Sequence, residues 1–71
     1  KTVNPLEELS DREMEIATLL VNGYGNLEIS NELGLKATTV STYKSRVYEK
    51  LGINNLSDLI QTFNLHNNIF W

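Results

Sequence analysis

Cysteine is absent from this 71-residue chain, and proline, histidine, methionine and tryptophan occur once each. Without cysteine there is no disulfide framework and no thiolate metal site. The absence also fits a reducing compartment, and the chain is expected to be cytoplasmic. No apolar run approaches the ~20 residues needed to cross a bilayer as a helix, and no signal peptide is visible. The lone His66 lies in a polar tail without an evident partner, so there is no nucleophile–base–orienter set. No phosphate-cradling glycine loop occurs, and no motif calls for a cofactor or a metal. The chain is therefore not expected to be an enzyme. Its length suits one small, marginally stable domain. It starts at Lys1 rather than methionine and is expected to be a piece of something longer.

Positive charge is also scarce: six Lys and Arg stand against nine Asp and Glu, a formal net charge of -3. Nucleic-acid binders are usually basic, so the total argues against that class. The distribution argues the other way. Residues 1–35 hold two basic residues and seven acids (2 − 7 = −5), whereas residues 36–50 hold Lys36, Lys44, Arg46 and Lys50 against Glu49 alone (4 − 1 = +3). Such a cluster is either a solvated helix face or a patch that meets a polyanion, because local potential rather than net charge steers association.

Helical periodicity runs through most of the chain. Residues 1–8, with Pro5 and no apolar period, read as a linker or arm. Ser10 followed by Glu13 is a capping box, and Leu9, Ile16 and Leu20 give the apolar spacing of a first helix over about 11–22, stopped near Gly23. Ile29 and Leu33 mark a short second helix over about 26–33, ended by Gly34. Val40, Val47 and Leu51, with Tyr43 alongside, form the stripe of a third over about 37–51, ended by Gly52. Leu56, Leu59, Ile60 and Phe63 form the face of a fourth, reaching about Leu65. The tail 67–71, with Ile69, Phe70 and Trp71, has no clear period. No period-2 pattern competes, so the fold class is all-α, a four-helix domain.

Only Gly34, Leu35, Lys36 and, if the third helix starts at Thr38, Ala37 separate the second and third helices, which fits a helix-turn-helix. Ser30 is small enough to let the two helices cross closely, and Gly34 suits a left-handed turn. A plain helical hairpin is the alternative. With Val40 taken as inward and about 100° per residue, Thr38, Thr42, Ser45 and Glu49 point away from the core, with Ser41 and Arg46 beside them. Short polar side chains of this kind let a helix sit deep in a major groove, and long basic ones suit the flanking phosphates.

These residues resemble the DNA-binding domain of the LuxR/FixJ/NarL family. Leu9, Ser10, Arg12, Glu13, Glu15 and Ile16 match its first motif, and Gly23, Asn26, Glu28 and Ile29 its second. Thr39 and Val40 match the third, and Val47, Lys50 and Leu51 the last. The wording TVSTYKSR is most similar to the BvgA/EvgA type of response regulator. The likeness covers about 9–65. It implies a helix-turn-helix over 9–66, dimerisation on DNA, contact with RNA polymerase and an N-terminal receiver domain. The sequence departs from the family pattern at Gly25, Leu27, Lys36, Ser41 and Tyr43, which leaves base readout to smaller groups or to water.

The residues expected to read bases are Thr38, Ser41, Thr42 and Ser45. Those expected at the DNA backbone are Asn26, Thr39, Tyr43, Lys44, Arg46 and Lys50. The fourth helix offers a dimer interface through Leu56, Leu59, Ile60 or Phe63, joined by Val21, although only some of these side chains are free of the core. Two rival readings stay open: a sigma-factor region-four-like domain, and a protein-interaction module that keeps the fold without binding DNA.

Overall fold

The computed structural model describes residues 5–67, with side chains through Leu65. Four α-helices follow one short turn: α1 (Asp11–Val21), α2 (Asn26–Leu33), α3 (Ala37–Leu51) and α4 (Leu56–Asn67). α3 is central, packing on both α1 and α2, while α4 packs on α1. Ile16, Ala17 and Leu20 from α1, Ile29 from α2, Val40 and Val47 from α3, and Leu59 and Phe63 from α4 form one buried core. The observed helix limits agree with the apolar periods to within one or two residues.

The first element differs from expectation. Pro5–Glu8 is a 3-10 turn rather than a free arm, and Leu6 joins the core at 3% exposure. Proline is compatible with the first position of such a turn, and one leucine without a period gives no sequence signal. Residues 1–4 and the tail residues Ile69, Phe70 and Trp71 lie outside the described residues, as does the side chain of His66.

Helices α2 and α3 are ended by the same device. Gly34 (φ 67°) and Gly52 (φ 69°) are left-handed, and the next residues, Leu35 and Ile53, donate their N–H groups back to Ser30 and Tyr48. Leu35 and Ile53 are apolar and pack against the core, so each stop also aims the chain into the next element.

Starts differ more than stops. Ser10 caps α1 through the full reciprocal box with Glu13, and the Asn55 side chain accepts from the Asp58 N–H at the start of α4. Gly25 offers α2 no side-chain oxygen, though its own N–H donates to Glu28 at 2.7 Å. Lys36 offers α3 no cap at all, despite an extended backbone (φ -72°, ψ 148°) suited to one. Lys36→Ser is therefore expected to stabilise the domain by about 1 kcal/mol, which raises Tm by roughly 4–8 °C for a chain of this size. A thermal melt followed by circular dichroism checks this, and an unchanged Tm would show the cap to be worthless here.

Candidate nucleic-acid interface

The amphipathic pattern of α3 determines what it presents. Val40 and Val47 are fully buried, and Thr38, Ser41, Thr42, Ser45, Arg46 and Glu49 are exposed on the far side, as the angular reading expected. Two of the hydroxyls are already engaged. Thr42 Oγ1 donates to the Thr38 carbonyl at 3.1 Å, leaving its lone pairs and methyl outward. Ser41 Oγ accepts from Asn26 Nδ2 at 2.9 Å, which ties the start of α2 to the outer face of α3.

Cation–aromatic pairs flank this polar strip on both edges. Lys44 Nζ lies 5.8 Å from the Tyr48 ring centroid on one side, and Arg46 Cζ lies 5.7 Å from that of Tyr43 on the other. Lys44 is half-buried, its stem along the helix. Burial pushes the Tyr48 phenol above its ordinary pKa, so its ring is a neutral face for the ammonium at physiological pH. Tyr48 was missed in the sequence reading, although its i,i+4 spacing from Lys44 was the available signal.

The ion pairs sort the cations. Among the described residues, Arg12 pairs with Glu15 at 2.9 Å and Lys50 with Glu13 at 2.8 Å. Lys36, Lys44 and Arg46 have no carboxylate partner among those residues, and all three belong to α3 or the residue that starts it. The expectation for Lys50 is corrected. Its ammonium also donates to the Glu8 carbonyl at 3.3 Å, so it clamps α3 to α1 and the N-terminal turn instead of standing free for a phosphate. Glu13, only 3% exposed, is held below the ordinary glutamate pKa by the Lys50 hydrogen bond first and the Ser10 N–H second, against the opposing effect of burial. Lys36 takes the vacated place among the free cations.

The dimer residues divide as well. Leu59 (0% exposed) and Phe63 (7%) are core, which corrects their assignment to a dimer interface. α4 packs on α1 and on the Pro5–Glu8 turn, and only part of its apolar face is buried. Leu56 is exposed, and Ile60 and Val21 are half-buried, so these three keep surface available.

Residues 7–63 match the family model for bacterial regulatory proteins, luxR family. The chain belongs to that family. It is thus a helix-turn-helix DNA-binding domain of a bacterial transcription regulator, which removes the sigma-factor alternative. A putative transcriptional regulator from Pseudomonas aeruginosa is 48% identical over 61 residues, covering 86% of this chain and 30% of the relative. The oxygen regulatory protein NreC of Staphylococcus aureus is 38% identical over 60 residues, 84% of this chain and 28% of that protein. The luxR-family domain therefore spans under a third of the length of either relative.

No described helix is long and apolar enough to cross a membrane.

Proposed function

We propose that this luxR-family domain places α3 in the DNA major groove as the output module of a two-component response regulator. The carrying observation is the outer face of α3, where Thr38, Ser41, Thr42 and Ser45 form a strip of short hydroxyls with Glu49 beyond them toward the C-terminal end, bordered on each edge by a cation with no carboxylate partner among the described residues. A major groove has the same cross-section, base edges in the middle and a phosphate strand on either side. Thr38, Ser41, Thr42 and Ser45 then face bases. Lys44 and Arg46 face the two strands, with Thr39 and Tyr43 beside them and Lys36 at the helix start.

Three phosphate contacts give a modest salt slope of about −2.7, so one copy binds weakly at physiological salt. That weakness supports binding as a homodimer, with Leu56, Ile60 and Val21 at the contact. The rest of the regulator, in this reading, comprises a receiver domain that controls the dimer. Bound in the cytoplasm at a promoter, it acts on RNA polymerase.

The test is fluorescence anisotropy on promoter DNA across a salt series, for the wild type and for Lys44→Ala/Arg46→Ala. The double variant should bind less tightly and lose about 1.8 from the slope per bound copy, at about 0.9 for each contact. If the wild type shows no binding even at low salt, α3 does not read DNA, and a protein partner becomes the better account.

A further inference from the structure

The side-chain hydrogen bond between Asn26 and Ser41 does more than join two helices. A serine hydroxyl has one proton and two lone-pair sites, and it rotates to suit its surroundings. Left free on a recognition helix, it serves donor and acceptor bases alike and so discriminates little. Here the rotor is not free. Asn26 Nδ2 donates to Ser41 Oγ at 2.9 Å, so one lone pair is taken and the hydroxyl proton is directed away from Asn26. Ser41 itself is exposed beside the groove-facing strip, and Asn26 is half-buried at the first position of α2.

We infer that Asn26 is a positioning residue for sequence readout, occupying one Ser41 lone pair and turning the hydroxyl proton toward an acceptor edge in the major groove, with a single lone pair left to accept. Acceptors there are guanine N7 and O6, adenine N7 and thymine O4; cytosine offers the N4 amino donor and is disfavoured. Thr42 is its complement. That hydroxyl proton is spent on the Thr38 carbonyl, so Thr42 presents lone pairs and a methyl group. Adjacent residues on α3 thus lean in opposite hydrogen-bonding directions, set in one case from within the helix and in the other from α2. The inference rests on the DNA-binding reading above and assigns Asn26 to orienting Ser41 instead of to a phosphate.

Selection from a randomised DNA pool, followed by affinity measurements on single-base variants of the selected site, tests it. Ser41→Ala identifies the contacted position as the one whose preference disappears. At that position, exchanging the acceptor base for cytosine should cost the wild type about tenfold in affinity, the scale of one hydrogen bond. Asn26→Ala should cut that discrimination to about twofold while preferences at other positions stay. Asn26→Ala/Ser41→Ala should be no less discriminating there than Ser41→Ala alone. Each preference is read within one variant, so a general loss of affinity does not obscure it. The inference is overturned if Asn26→Ala lowers affinity equally for every sequence. It is also overturned if Ser41→Ala changes no position while the wild type still selects a site. A wild type that selects no sequence at all overturns the DNA-reading proposal and this inference with it.

Discussion

Replacing Lys50 with alanine will destabilise the domain by about 2 kcal/mol. The Glu13 carboxylate, 3% exposed, would keep its charge and its Ser10 N–H bond but lose the ammonium that faces it at 2.8 Å. Removing one partner of a fully buried pair typically costs ~3–5 kcal/mol. The Lys50 side chain is 41% exposed, so solvent already screens this pair and the loss falls below that range. The pH dependence gives a second reading. Glu13 titrates lower in the folded state than in the unfolded chain, so the unfolded chain takes up its proton first as the solution is acidified. The stabilisation is complete above the ordinary glutamate range, and is lost as pH falls from about 5 through the lowered pKa. In the Lys50→Ala variant the Ser10 bond and burial oppose each other, and the acid limb flattens. Urea denaturation at several pH values measures both effects. Equal stability of the two proteins at pH 7 would show that the clamp contributes nothing.

A larger loss is expected at Leu59. Its side chain is fully buried, and Leu59→Ala leaves a cavity between α4 and α1 that costs about 3 kcal/mol. Small domains of this length hold only about 5 kcal/mol in total, so the variant keeps about 2 kcal/mol, which leaves about 3% of it unfolded at 25 °C, and it melts well below the wild type. Leu56→Ser, one turn earlier on the exposed side, should leave the melting temperature within a few degrees and instead reduce dimer formation on DNA. Thermal melts together with sedimentation of the DNA complex separate the two outcomes. If Leu59→Ala melts like the wild type, α4 is not part of the core.

The contrast between Leu59 and Leu56 shows where sequence reading stops. Both lie on one apolar face, and periodicity alone does not say which of them α1 covers. The helices themselves were legible because their signals are local: the Ser10–Glu13 box, the Gly34 and Gly52 stops, and the spacing of Val40 and Val47. The polar face of α3 was legible for the same reason, since angle around one helix depends only on residues near in sequence. The side chains that adjust this face were not. Asn26 and Ser41 are 15 residues apart, and Lys50 and Glu13 are 37 apart, so each contact exists only after the helices have packed. Family resemblance supplied the motif positions but not these partners. Lys50 falls on a motif position, and that position says nothing of the Glu13 carboxylate and Glu8 carbonyl that its ammonium meets.

Lys50 also reaches the carbonyl of Glu8, and Leu6 is anchored two residues before that carbonyl. The domain's entry segment is thereby bolted to the last turn of α3, at the end opposite Lys36. The turn Pro5–Glu8 and the last turn of α3 are therefore held as one body, with Leu6 and the Lys50 ammonium as the two points of attachment.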